Sequence, residues 1–459
     1  RRRHTRFRNV TGVQTCALPI SCDKGDGYGC GSLGYMYQEG KGVKQDNVEA
    51  AQLYRTACDK GDGYGCGGLG YMYQEGIGVK QDNVQAVEWF RTACEKGYGV
   101  GCGRLGYMYA QGKGVKQDNV QAVEWFRTAC EMGEARGCSR LGVMYMEGTG
   151  VKQDDVEAVK WFRTACDKGA AIGCFSLGYM YQEGKGVKQD DVQAAQLFRT
   201  ACEKGAAIGC FSLGTMYMTG KGVKQDDVEA VKWFRTACDK GDGFGCSRLG
   251  HMYHQGEGVK QDDFKAVELY RTACEMGEAR GCGSLGVMYE NGEGVKQDDF
   301  EAVKWFRTAC EKGAAIGCSS LGAMYATGKG VKQDDFEAVK WYRTACEKGE
   351  ARGCGHLGWK YEKGEGVKQD DFEAVKWYRT ACEMGHALGC FSLGEMYYYG
   401  KGVKQDDVEA VKWYRTACEK GEGLGCFSLG VMYTKGRGVR SEEHTSELQS
   451  RFGISYAVF

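Results

Sequence analysis

Residues Cys58 to Ala93 read CDKGDGYGCGGLGYMYQEGIGVKQDNVQAVEWFRTA, and the spacing of apolar residues in this stretch decides the fold. Cys66, Leu69, Gly70, Met72 and Tyr73 recur at helical spacing, which predicts a helix A over roughly Asp62 to Glu75. Gly76 and Gly78 close it, because glycine alone enters the left-handed conformation past a helix end without steric cost. Gln81, Asp82 and Asn83 supply side-chain acceptors that open a second helix, B. Helix B is expected from about Asn83 to Glu95, with Val84, Ala86, Val87, Phe90 and Ala93 in the core and Gly97 at its end.

The same stretch recurs along the chain with a period of 36 residues. Its cysteines mark the register in twelve pairs: Cys22 and Cys30, Cys58 and Cys66, Cys94 and Cys102, Cys130 and Cys138, Cys166 and Cys174, Cys202 and Cys210, Cys238 and Cys246, Cys274 and Cys282, Cys310 and Cys318, Cys346 and Cys354, Cys382 and Cys390, Cys418 and Cys426. Two short helices cannot bury a core alone, so each hairpin must stack on its neighbours. Length therefore counts repeats here rather than globular domains. The 73 glycines against a single proline fit short helices joined by glycine-capped turns better than a disordered chain, which carries both. Gly70 and its equivalents are expected to let helices approach closely. No run reaches the roughly 18 apolar residues a membrane helix needs, so no transmembrane segment is expected.

Both ends fall outside the pattern. VTGVQTCALPI, from Val10 to Ile20, and RSEEHTSELQS, from Arg440 to Ser450, carry no apolar period, and both are what a common sequencing-library adapter yields on translation of its two strands. Residues 1–20 and 440–459 are therefore set aside as non-native, residues 21–439 are read as the repeat array, and the natural gene is expected to continue beyond both ends. This excision changes the charge. The whole chain holds 61 basic and 61 acidic residues, and the ends contribute seven arginines and three glutamates, leaving 54 − 58 = −4. With the basic N-terminus gone and lysine and arginine spread evenly, no nucleic-acid partner is expected.

The strings LGYMYQEGIGVKQD and AVEWFRTA resemble the Sel-one-like repeat, a relative of the tetratricopeptide repeat. The paired cysteines make the chain similar to the Helicobacter cysteine-rich protein family, in which each repeat carries a disulfide. The resemblance runs from Cys22 to about Val439 and implies an all-α fold, a right-handed α/α superhelical solenoid of disulfide-bridged helix-turn-helix repeats. The array departs from natural ones in lacking atypical capping repeats at its ends.

Seven residues separate the cysteines of a pair, where zinc sites prefer two to four, and four of six histidines lie in the repeats, so disulfides are favoured over a metal or redox role. Placing Cys58 at the end of helix B and Cys66 one turn into the next helix A brings them within disulfide range across the loop DKGDGYG. Cys30 to Cys58, within one repeat, is the alternative and closes a longer loop. Twelve structural disulfides imply a secreted or periplasmic protein.

Most positions barely change between repeats, and GVKQD recurs in every complete unit. The changes gather at the equivalents of Tyr64, Gly67, Gly68, Tyr71, Gln74 and Glu75, which share one face of helix A. There the array shows Tyr28, Tyr35, Tyr64, Tyr71, Arg104, Tyr107, Arg136, Arg140, Tyr179, Arg248, His251, Arg280, Arg352, His356, Trp359 and Tyr398, together with Tyr399. In solenoids of this resemblance the A helices line the concave surface, and tyrosine, tryptophan and arginine dominate binding hot spots. The expected function is that of a monomeric scaffold holding a protein or peptide ligand in this groove, with no cofactor or metal. Phe175, Phe211, Phe391 and Phe427 are expected to pack between adjacent A helices as core instead.

Lys188 to Asp191 repeats acidic oxygens but lacks the ligand alternation of a calcium loop, and helix capping accounts for it. His251 and His254 share a helix face but have no third metal ligand. The cysteine-rich family's association with penicillin binding and weak β-lactam hydrolysis makes a β-lactamase-like hydrolase the alternative function. Against it, the sole Ser-x-x-Lys is Ser21 to Lys24 at the adapter junction, and near-identical repeats do not converge different groups on one point.

Overall fold

The computed structural model describes residues 21–438; the adapter-like segments at the two ends lie outside the described residues. Twenty-three helices follow one another, with no strand among the described residues. Residues up to Trp233 form one compact unit and residues from Phe234 a second.

Each repeat builds its hairpin with the same local chemistry. Helix A of the second complete repeat spans Gly63–Glu75, capped by the Asp62 carboxylate accepting from the Gly65 N–H at 3.1 Å. It ends at Gly76, whose φ of 70° lets its own N–H reach back to the Met72 carbonyl. Helix B spans Asn83–Glu95, with Asp82 accepting from the Val84 and Gln85 N–H groups at 2.9 and 3.1 Å. Between them the loop folds back: a Cβ on Gly78, at φ 66°, would run into the Asn47 carbonyl at the start of the preceding B helix. Glycine is required there on both counts.

Within each unit a B helix packs on its own A helix and on the A helix that follows. The resulting core is shared between repeats: Ala86, Val87 and Phe90 of one B helix meet Leu105 and Met108 of the next A helix, all buried. Burial of each such large side chain stabilises by roughly 1.5 to 3 kcal/mol, and none of it is available to a hairpin by itself. Gly70 does allow close approach, since a Cβ there would stand 2.8 Å from the Phe90 ring. Successive A helices also touch one another, from Gly27–Glu39 through Ala171–Glu183 in the first unit and from Gly243–Gln255 through Gly423–Thr434 in the second.

All twelve cysteine pairs are disulfides joining the end of one helix B to the next helix A, not Cys30 to Cys58 within a repeat. Their Cα separations lie between 4.4 and 4.7 Å, and within the array they sit against a small buried residue of the following repeat, as Cys58 and Cys66 sit against Ala93 and Cys382 and Cys390 against Ala417.

Two expectations about packing need correction. Val84 is 56 % exposed, not buried. It is the second residue of its helix, one turn short of where the next A helix begins to cover helix B, and its equivalents Phe264, Phe300, Phe336 and Phe372 are exposed too. Phe427 is 71 % exposed among the described residues, of which its helix, Gly423–Thr434, is the last.

Candidate binding face of the A helices

The side of each A helix turned away from the core carries the residues that differ between repeats. Leu105 and Met108 of helix Gly99–Gln111 are buried while Arg104 and Tyr107, beside them in sequence, are partly exposed. Arg136, Arg140, Arg248, His251, Arg280, Arg352, His356 and Trp359 are exposed on the equivalent sides of their own helices.

What lies between these residues is set by one position per repeat. In the first unit Phe175 lies over Phe198 with ring centroids 5.6 Å apart, and in the second Phe391 lies over Tyr414 at 5.8 Å. These two phenylalanines therefore fill the space above the B-helix aromatic, as expected of core residues. At the same position Gly103 and Gly283 leave that space open. A hollow of about 550 Å³ lies over Phe126, lined by Gly103, Arg104, Tyr107, Glu134, Arg136 and Arg140 among others. A second, of about 540 Å³, lies over Phe306 with Gly283, Arg280, Val287 and Ile316 around it. Gly67 floors a smaller one, lined by Tyr35, Tyr64, Tyr71, Tyr98, Val100 and Arg104.

The predicted residues thus fall into several environments. Tyr64 is held edge-on between Tyr54 and Tyr98, at 6.0 and 5.8 Å, and burial pushes its hydroxyl up to about 12. It is a wall of the aromatic hollow rather than a free contact. Tyr71 receives the Arg104 guanidinium over its ring at 5.5 Å. Tyr35 and Tyr179 accept hydrogen bonds from Lys41 at 2.8 Å and Lys185 at 3.3 Å. Tyr398 accepts from Arg437, which also grips both Asp407 carboxylate oxygens at 2.9 Å. His356 stacks on Tyr342 at 4.8 Å. Tyr28, exposed at the start of the first described A helix, lines none of these hollows.

The remaining candidates resolve into structure. Asp190, within the run read as a possible calcium loop, accepts from the Gln193 N–H and caps its helix. His254 hydrogen-bonds to Asp263 at 2.7 Å with Glu293 3.8 Å beyond, so it joins two repeats. Among the described residues no cluster of three or more histidine, cysteine, aspartate or glutamate side chains is arranged to hold a metal. The sequence reading missed the three hollows. Their signal, glycine, serine or phenylalanine at one position of the repeat, is visible in the sequence, but its meaning depends on which aromatic lies beneath.

An all-helical array with a constant, disulfide-stapled core and a variable outer side on its A helices defines a repeat scaffold of the protein-binding class. The Sel1 repeat model matches the chain twelve times, from residues 28–62 to residues 423–444, and the protein belongs to the Sel1 repeat family. Its structure is similar to the protective antigen c5321 of uropathogenic Escherichia coli, which displays an SLR fold, at 32 % identity and a TM-score of 0.61 over 98 % of this chain and 99 % of that one. A Sel1 repeat protein from Oxalobacter formigenes shares 27 % identity, with a TM-score of 0.55 over 67 % of this chain and 90 % of that one. Cysteine-rich protein B of Helicobacter pylori is 33 % identical over 29 % of this chain and 96 % of its own, with a TM-score of 0.25. No curated protein sequence matches. Sel1 repeats are typically non-enzymatic scaffolds that bind protein partners. The disulfides point to an oxidising, extracytoplasmic environment, and no helix among the described residues is long and apolar enough to cross a membrane.

Proposed function

We propose that this protein is a secreted or periplasmic monomeric scaffold that binds a protein or peptide along the outward side of its A helices, taken as the concave face, without a nucleic-acid partner. One observation carries the reading: the positions that differ between repeats coincide with the solvent side of the A helices, and glycine at one of them opens a hollow where phenylalanine elsewhere fills it. Tyrosine and arginine rim these hollows, the residue types enriched in binding hot spots, and a rigid aromatic loses little entropy when it is covered.

A peptide library displayed against the oxidised full chain tests the reading. Binding of the selected peptides is expected to fall at least tenfold for Tyr71→Ala and Arg140→Ala and to be unchanged for Phe300→Ser and Phe336→Ser, on the exposed ends of the B helices. Peptides that lose binding only with the phenylalanine variants would move the site to the B helices and sink the proposal.

A further inference from the structure

We infer that the first unit recognises an acidic segment of a protein partner, with an apolar side chain about three residues from its carboxylates. The inference rests on the A-helix reading above and adds what the ligand must be made of.

The hollow over Phe126 is lined by three arginines from two consecutive A helices. Arg104 and Arg140 occupy the same position in neighbouring repeats, and Arg136 lies one turn before Arg140 on the same side. The one carboxylate among the lining residues is Glu134, so the lining carries 3 − 1 = +2, in an array whose repeats sum to −4. Glu134 is itself engaged at the helix start, where it accepts from the Arg136 N–H at 3.3 Å. A concentration of guanidiniums against the average charge of the chain is complementary to carboxylates, which arginine's planar fork binds in bidentate fashion.

The adjoining hollow is different in kind. Tyr35, Tyr64, Tyr71 and Tyr98 wall it over Tyr54 and Phe90, and Gly67 and Gly68 add no side chain to it. Val100 and Arg104 line both hollows, so the two adjoin at helix Gly99–Gln111. Neighbouring packed helices stand about 8 to 10 Å apart, and an extended peptide advances about 3.3 Å per residue. An apolar residue in the tyrosine hollow therefore places carboxylates in the arginine hollow about three residues on. Nucleic acid also pairs bases with aromatics and phosphates with arginine, but a run of phosphates needs a basic track, and beyond this one hollow lysine and arginine are spread evenly through a net negative array.

A fluorescein-labelled peptide containing Phe-Gly-Gly-Glu-Glu, made in both chain directions, tests this by anisotropy against the oxidised full-length protein. Replacing the two glutamates by glutamines is expected to weaken binding at least tenfold, and raising the salt concentration to weaken the acidic peptide alone. Arg136→Ala with Arg140→Ala should abolish the preference for glutamate, whereas Arg140→Lys keeps part of it. Gly103→Phe supplies the most direct block: a Cβ there meets nothing closer than Ala129 at 3.8 Å, and the array accepts phenylalanine at this position in Phe175. That variant should fold with an unchanged or raised melting temperature, phenylalanine being the better helix former, and lose the peptide. Equal binding of the glutamate and glutamine peptides overturns the inference, as does a short oligothymidylate that displaces the peptide more tightly than the peptide displaces it. Absence of binding by the acidic probe, while library peptides still depend on Tyr71, overturns the inference and leaves the A-helix reading standing; loss of both fells the two together.

Discussion

The Arg91 guanidinium donates to the Tyr109 hydroxyl at 2.9 Å, tying a B helix to the A helix of the following repeat. The same pair, eighteen residues apart, recurs as Arg55 with Tyr73 at 2.9 Å, Arg163 with Tyr181 at 2.7 Å and Arg307 with Tyr325 at 2.8 Å. Arg55 and Arg199 also lie over Trp89 and Trp233 of the next B helix, at 5.5 and 5.1 Å. A single side chain thus touches both helices of its neighbour and fixes the step between repeats.

Arg91→Ala is accordingly expected to loosen one joint rather than unfold the chain. The arginine is solvent-exposed, so the loss is about 1 kcal/mol. Amide hydrogen exchange should accelerate across Asn83–Gln111 and stay unchanged in the second unit. An acceleration spread evenly over both units would contradict a local joint.

The disulfides are expected to act on the same local scale. Loops this short contribute roughly 2 to 3 kcal/mol each, and a repeat array adds such terms neighbour by neighbour. The double variant Cys58→Ser, Cys66→Ser should lower the urea midpoint measurably and expose the Ala93 region to exchange. Indifference of the midpoint to this variant, or to full reduction of the wild type, would show that packing alone holds the array.

Lys360 occupies the place of Met324 and Met396 in neighbouring repeats and is only 3 % exposed, paired at 2.7 Å with both Asp335 and Glu365. Breaking a buried pair costs more than replacing it, because the remaining charge is left unsolvated. Asp335→Asn with Glu365→Gln should therefore destabilise by about 3 kcal/mol, while Lys360→Met, whose freed carboxylates reach solvent, should be neutral or stabilising in thermal unfolding. The opposite order would mean the lysine is held by hydration.

His356 and His386 supply a pH dependence. Stacking on Tyr342 takes one face of the otherwise exposed His356 ring out of water, and this desolvation, then the neighbouring His386, holds its imidazole below the usual histidine range, with Arg352 and Lys360 acting in the same sense and Glu350 opposing. Burial also lowers His386, which lies over Gly355 on the adjoining repeat. Since both folded-state values are depressed, the unfolded chain takes up protons first as the pH falls. Stability is full above the unfolded value of about 6.5 and is lost as the pH drops from there toward the folded values. The urea midpoint should fall between about pH 7.5 and about pH 5, and fall less in His356→Gln, His386→Gln; an equal fall would assign the dependence to carboxylates alone.

Much of this was legible in the sequence, because a repeat states its own rules many times over. The period of the cysteines, the glycines after each helix and the aspartate before each helix B set the hairpin by local backbone chemistry, which needs no knowledge of distant contacts. The helical spacing of Leu69 and Met72 likewise marked the buried side of helix A. Tertiary packing decided the rest. Val84 reads as a core residue, but only the point at which the next A helix begins to cover helix B leaves it in water. Phe175 reads as a core residue and Gly103 as one more variable position, but only the aromatic beneath them makes one a plug and the other an open hollow. Arg104 and Arg140 stand 36 residues apart in the chain; it is the stacking of one repeat on the next that brings their charges to a single hollow.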